Sequence, residues 1–291
     1  MVKTIADLYL DARRAFMLQD DPQTASLMAR NLICRITGKT QEAVIADRDK
    51  YVGEEVCAKM EEAVTRIMNQ EPLAYVLGEW DFYGMTLQVD HNVLIPRDDT
   101  CAVTALAIKK ALFLNSNPRI LDLCTGSGCI GLAIANRVKD AKVTLADISR
   151  DAMAVAKKNI TQQKLSGRVT CVQVNALDEP APFLGKFDLI VSNPPYITTQ
   201  EMTELPKSVK DFEPHLALHG GTDGLDFYRS IASKYSAALK PGGYLCFEFG
   251  MGQGDDVCEI LEKNGYTILE RAKDYGDIER AVLAQYDRKE D

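Results

Sequence analysis

Two consecutive prolines close an apolar run in the second half of this chain. Phe187-Asp188-Leu189-Ile190-Val191-Ser192 has the β-branched content of a buried strand, and Asn193-Pro194-Pro195-Tyr196 follows at once. Neither proline has an N–H for a ladder, and each restricts the residue before it. A strand that meets this pair stops hard. The run therefore predicts a rigid corner at the carboxyl edge of a sheet, with carbonyls free to accept. Asn193 adds an amide side chain and Tyr196 an aromatic ring. Such a corner suits a flat NH2 group, giving acceptors for its hydrogens and a ring for its face. An ordinary turn after a strand has the same composition, so the rest of the chain must decide.

From about residue 97 the chain alternates strand and helix. Strands are predicted at 119–123, 142–146, 168–174, 187–192, 244–249, 266–271 and 281–286, and helices at 98–113, 129–138, 150–163, 224–238 and 253–263. About seven strands in this rhythm predict an open, mostly parallel α/β sheet with helices on both faces and ligands outside the carboxyl ends of the strands. Residues 1–75 read instead as a small helical domain. Ile5, Leu8, Tyr9 and Ala12 recur at helical spacing. Asp21-Pro22 is a start signal for a helix carrying Ala25, Leu27, Met28, Leu32 and Ile33, which Gly38 closes. A third stretch, 53–69, puts Val56, Met60, Ala63, Val64, Ile67 and Met68 on one face. Between these regions, residues 76–96 predict a β-hairpin linker around Gly84, ended by Pro96, so that 97–291 forms the α/β domain.

The formal charge of −8 argues against a chain built mainly to grip phosphate backbones, and no direct nucleic-acid partner is expected. The eight cysteines are scattered without a Cys-x-x-Cys pair, as for reduced thiols. The N-terminus lacks the apolar core of a signal peptide, and no window reaches the ~18 apolar residues of a membrane span. A cytoplasmic chain without membrane contact is expected.

The predicted strand at Ile120-Leu121-Asp122-Leu123 runs into Cys124-Thr125-Gly126-Ser127-Gly128 and a helix. By the letter, Gly126 to Gly131 is G-x-G-x-x-G, and Asp147 stands 21 residues beyond Gly126. That is a dinucleotide fingerprint, which makes a NAD-type oxidoreductase a rival reading. Asp122 weighs against it: a carboxylate there suits a ligand with a cationic amino-acid end and repels a pyrophosphate. The loop also has no Lys or Arg to meet phosphate. The pattern D-x-x-T-G-S-G resembles the S-adenosylmethionine loop of Rossmann-like (class I) methyltransferases. The resemblance implies a cofactor site of Asp122, Cys124 (through its backbone), Thr125, Gly126, Ser127, Gly128 and Asp147, with Asp147 accepting from ribose hydroxyls. It places Leu177 on the adenine ring and Asn193 at the methyl. Where that family commonly carries an acid after the third strand, this chain has Asn175-Ala176-Leu177-Asp178.

Further motifs, in order along nearly the whole chain, narrow the resemblance. They are Pro72-Leu73-Ala74-Tyr75-Val76-Leu77-Gly78 with Phe82-Tyr83-Gly84, then Val93-Leu94-Ile95-Pro96-Arg97, the glycine loop, and Asn193-Pro194-Pro195-Tyr196. Phe212-Glu213-Pro214, Gly220-Gly221-Thr222-Asp223-Gly224 and Asp274-Tyr275-Gly276-Asp277-Ile278-Glu279-Arg280 follow. The chain resembles the N5-glutamine methyltransferases of peptide chain release factors (PrmC/HemK). One departure is Pro96-Arg97-Asp98-Asp99-Thr100-Cys101, where the family reads P-R-P-E-T-E. The resemblance implies methyl transfer from S-adenosylmethionine to the glutamine amide of the Gly-Gly-Gln loop of class-I release factors, with the helical domain as docking surface. Asn193, Pro194 and Tyr196 would be catalytic, and Pro195 and Glu213 would join them in holding the substrate. No metal is expected; His215 and His219 read as loop histidines. Methylation of an adenine amine in DNA or RNA stays open, because Asn-Pro-Pro-Tyr serves that NH2 equally well. A catalytically silent nucleoside-binding scaffold is the reading from another class.

Overall fold

The computed structural model describes residues 3–287. They form two compact units. One runs to Gly78 and takes in Lys207–Phe212; the other holds Glu79–Pro206 and the chain from Glu213 onward.

The first unit is helical: α1 (Ile5–Phe16), α2 (Pro22–Thr37), α3 (Gln41–Ala46), α4 (Glu54–Met68) and α5 (Leu73–Leu77). Its start and stop signals act as their chemistry requires. Thr4 and Asp7 form a reciprocal capping box at α1, Asp21 accepts from the Gln23 and Thr24 N–H groups with Pro22 next, and Gly38 ends α2 in the left-handed conformation. Ile5, Leu8, Phe16, Leu32, Ile33 and Met60 meet in one apolar core. Leu27 faces solvent while Ala29 takes the inner position, and α3 and α5 are helices too short to show a period in the sequence.

The second unit opens with the hairpin β1 (Glu79–Phe82) and β2 (Met85–Gln88). The predicted linker packs into this unit's core through Phe82, Met85 and Leu87. There follow α6 (Thr100–Leu112), β3 (Arg119–Leu123), α7 (Cys129–Arg137), β4 (Lys142–Asp147), α8 (Arg150–Gln162), β5 (Val169–Gln173) and β6 (Phe187–Ser192). After two short helical turns, α9 (Glu201–Glu204) and α10 (Lys207–Lys210), the latter counted in the first unit, come α11 (Asp226–Lys234), β7 (Leu239–Glu248), α12 (Gly254–Lys263), β8 (Tyr266–Lys273) and β9 (Glu279–Tyr286). The sheet has seven strands in the order β5-β4-β3-β6-β7-β9-β8. The first five run parallel, and β9 is antiparallel to both neighbours.

Strand parity builds the layers. Ile120, Leu189, Val191 and Cys246 face one side with α6 and α7, while Leu121, Ile190, Leu245 and Phe247 face the other with α11 and α12. Such two-sided burial is what the near-continuous apolar strands demand. The strand predicted from Tyr244 in fact begins at Leu239, because a register shift between Phe187 and Leu189 admits Pro241-Gly242-Gly243 into β7. Strand order reverses between β3 and β6, which opens a crevice beyond their carboxyl ends. No described helix is long and apolar enough to cross a membrane.

Candidate active site

A cavity sits at this reversal, lined on one side by the glycine loop after β3 and on the other by Asn193 and Pro195 after β6. The loop turns sharply, with Cys124 at φ 61° and Gly126 at φ 53°. Open space lies where a Gly126 side chain would stand, so backbone faces the cavity. Three contacts pin it. Thr125 N–H donates to the Ala146 carbonyl (3.1 Å), Gly126 N–H to Asp147 Oδ2 (2.9 Å), and Asn159 Nδ2 to the Ser127 carbonyl (2.9 Å). Asn159, wholly buried on α8, also exchanges two hydrogen bonds with the Gln88 backbone and so ties the hairpin to the loop. Sequence reasoning passed over it. Its signal was an amide on the apolar stripe of Val155, Ala156 and Ile160.

Asp122 does not line the cavity. Its side chain lies under the loop, where Oδ2 accepts from the Thr125 hydroxyl (2.6 Å) and the Gly131 N–H (2.9 Å). It shares the parity of Ile120, which faces α7, so the expectation that it meets a ligand's cationic end is corrected to a strut for the loop. Burial raises its pKa to about 7. A Cβ at Gly131 would come 2.3 Å from Leu145 Cδ2, which explains the third glycine of the pattern as helix-on-strand packing.

The other predicted cofactor positions gather in one place. Cys124, Thr125, Gly126, Ser127, Asp147, Leu177 and Asn193 all line the cavity, whereas Gly128 lies behind the loop against Leu132 and Leu145. Burial pushes the Cys124 thiol up, away from thiolate chemistry. Asp147 spends Oδ2 on Gly126 and Oδ1 on the Ser149 N–H (2.9 Å), and each oxygen keeps a second lone pair for a hydroxyl. Ala176 is buried in the wall with Leu177 beside it; Asp178 is not among the lining residues. Exposed backbone, a carboxylate at the far strand end and an apolar shelf of Ile148, Ala152 and Leu177 match a nucleoside with a polar tail.

At the corner, Asn193 Nδ2 donates to the Thr100 hydroxyl over 3.4 Å, and the amide stands beside the buried carboxyl of Glu248. Among the described residues nothing donates to Asn193 Oδ1 or takes up the Pro194 carbonyl. Pro194 is buried, and Tyr196 is set back from the cavity with its ring against Gly250; burial raises its phenol pKa. Glu213 also lies outside the cavity wall. Its buried carboxylate pairs with Arg97 and accepts from the Ile95 N–H (3.2 Å), and its neighbour Pro214 lines the cavity instead. Asp99, at the departure from the family pattern, pairs with Arg280 (3.0 Å), which also holds Asp274. His219 Nε2 meets the Thr199 hydroxyl (2.9 Å) in the loop beyond the corner.

A glycine loop on one side of the strand reversal and Asn-Pro-Pro-Tyr on the other, over this sheet order, define a Rossmann-like methyltransferase. A release factor glutamine methyltransferase of Clostridium acetobutylicum is 38% identical over 87% of this chain and 88% of its own, and one of Geobacter sulfurreducens is 36% identical over 94% of each. The chain belongs to the release factor glutamine methyltransferase family. Family models agree: residues 10–78 match the PrmC N-terminal domain and residues 101–212 the methyltransferase small domain. A solved methyltransferase from Pyrococcus furiosus, 18% identical, shares the fold with TM-score 0.51 over 78% of this chain and 100% of that one.

Proposed function

We propose that this chain transfers a methyl group from S-adenosylmethionine to the side-chain amide nitrogen of the glutamine in the Gly-Gly-Gln loop of class-I release factors, in the cytoplasm. The reading is supported by the names of its relatives and carried by one observation. Asn193 has its NH2 turned inward to the Thr100 hydroxyl, on the side of the Glu248 carboxyl, so its Oδ1 is left as an acceptor at the cavity edge, beside the Pro194 carbonyl.

A carboxamide nitrogen is a weak nucleophile because its lone pair is shared with the carbonyl. Two fixed acceptors, Asn193 Oδ1 and the Pro194 carbonyl, would take the two N–H hydrogens and turn the lone pair toward the cavity. The work is positioning and electrostatic preorganisation, with no base acting first. As the N–C bond formed and the methyl's bond to the sulfonium sulfur broke, positive charge would pass from sulfur to the nitrogen, and both oxygens would stabilise it until one hydrogen left as a proton to solvent. Asp147, the loop backbone at Gly126 and the Leu177 shelf would hold the cofactor, which supplies an electrophilic methyl on a sulfonium. Leu10, Leu18 and Leu27 give the helical unit an exposed apolar surface, and we assign to that unit the docking of the protein substrate.

The test is mass spectrometry of a release factor incubated with the enzyme and S-adenosylmethionine, with duplex DNA in a parallel reaction. A methyl group on the loop glutamine is the expected result. Methylated adenine with an unmodified release factor would overturn the reading.

A further inference from the structure

Glu248 is an acid where the sequence pattern asks for an apolar residue: it ends the buried strand β7, and its residue is 1% exposed. The register pairs Ser192 with Phe247, so the next step along both strands brings Asn193 beside Glu248. Cys246 shares the parity of Glu248 and reaches the Val103 carbonyl on α6, so the Glu248 side chain points to the start of that helix, where Thr100 stands. The Thr100 hydroxyl and the Asn193 amide both face its carboxyl and hold down part of the rise that burial gives its pKa, and Asn193 Nδ2 reaches the Thr100 hydroxyl over 3.4 Å. Oε2 has no partner. Such a group is costly to bury, and nothing in the packing of the strand requires it.

We propose that Glu248 is a positioning residue that fixes which way the Asn193 carboxamide faces. A terminal amide can rotate to exchange its oxygen and nitrogen, and the two ends present opposite chemistry to a substrate NH2. With a carboxyl oxygen and the Thr100 hydroxyl behind it, the NH2 end is drawn inward and Oδ1 is turned to the cavity. Thr100 completes the pair. Glu248 touches neither substrate nor cofactor; it acts through Asn193. The inference rests on the proposed role of Asn193 as acceptor for the glutamine amide.

A double-mutant cycle tests it with a release factor as substrate. Glu248→Leu should lower kcat on the order of 10- to 100-fold, the cost of leaving a buried amide donor without its acceptor, with cofactor affinity within about threefold of the native value. Glu248→Gln keeps an acceptor and should recover most of the rate. In an Asn193→Ala background, Glu248→Leu should change kcat by less than about twofold. Full additivity of the two losses would overturn the inference. Thr100→Val, nearly isosteric, repeats the cycle should Glu248→Leu not fold. A readout independent of any substrate separates this inference from the functional reading: hydrogen exchange of the Asn193 side-chain NH2 by NMR. It should speed up on the order of tenfold in Glu248→Leu or Thr100→Val. Unchanged exchange refutes the positioning role even if release factor is methylated, whereas faster exchange without release-factor methylation leaves it standing and sinks only the proposed substrate.

Discussion

The backbone of Gly224 passes so close to Tyr196 that a Cβ on the glycine would stand 2.2 Å from the Tyr196 carbonyl oxygen. Gly220 approaches the same corner, its own Cβ position lying 2.6 Å from the Pro195 carbonyl oxygen and 2.7 Å from Tyr196 Cα. The segment is held there by the Gly220 N–H donating to Ile197 (2.8 Å) and the Ile197 N–H donating to Leu218 (2.9 Å). The glycine-rich stretch after Pro214 is thus the back wall of the Asn-Pro-Pro-Tyr corner. Gly224→Ala meets both a left-handed backbone (φ +76°) and this clash, whereas Gly38, at φ +66° with open space around it, meets only the first. Gly38→Ala should cost about 1–2 kcal/mol of stability and leave kcat alone. Gly224→Ala should cost more and also lower kcat, because the corner has to move. Equal behaviour of the two variants in denaturation and turnover would refute the back-wall assignment.

Cofactor affinity should follow the two cavity residues with different chemistry. Leu177→Ala removes part of the apolar shelf and should raise the dissociation constant on the order of tenfold, with kcat at saturation near native. Asp147→Ala removes the acceptor for hydroxyls and also the anchor of the Gly126 and Ser149 N–H groups. A loss on the order of 100-fold is expected there. Isothermal titration with S-adenosylmethionine measures both, and a smaller effect at Asp147 than at Leu177 would contradict the division of roles.

Much of this was legible in the sequence because it is local. The seven strands, the glycine loop and the proline corner are each written in consecutive residues, and parallel topology follows from their alternation with helices. What escaped depends on pairing between distant segments. Glu248 and Thr100 stand next to Asn193 only through the β6–β7 register and the placement of α6. Asn159 matters because the hairpin and the loop converge on α8. Asp122 shows a different lapse: counting parity from Ile120 would have turned it under α7, away from the ligand. Glu213 was a substrate contact only by the family resemblance of Phe212-Glu213-Pro214, and only the tertiary fold reveals Arg97 and the Ile95 N–H as its partners.

Two buried acids give the fold a characteristic dependence on pH. Burial raises Asp122 to about 7 and Glu248 to about 8. In the unfolded chain both carboxyls titrate near their ordinary values, about 4. Between those values and the raised ones, the folded state binds more protons than the unfolded state, so stability falls as pH rises. Their favourable share is complete below about pH 4 and is lost as pH climbs through 7 and 8. Asp122→Asn and Glu248→Gln remove the titration. Each variant should show a flatter urea midpoint from pH 5 to 8 than the native chain, gaining most relative to it at the alkaline end. Parallel curves for native and variant proteins would argue against both assignments.

The last expectation separates a strut from a substrate contact. Glu213 has a side chain only 1% exposed, and it is shared between Arg97 and the Ile95 N–H. Val93, Leu94 and Pro96 on one side and Pro214 on the other contribute to the cavity wall, so this carboxylate joins two parts of the wall from behind. Glu213→Ala leaves the buried Ile95 N–H without an acceptor and should destabilise the protein by about 1–3 kcal/mol. Glu213→Gln retains that acceptor and gives up the charge, so it should recover part of the loss. If Glu213 instead touched the substrate, both variants would raise KM for release factor at unchanged stability. Denaturation curves and KM measured on the same two proteins distinguish these outcomes. Behind the wall, the predicted pattern is loss of stability in Glu213→Ala, partial recovery in Glu213→Gln, and KM within about twofold of native for Glu213→Gln, because the glutamine side chain fills the same space without facing the cavity.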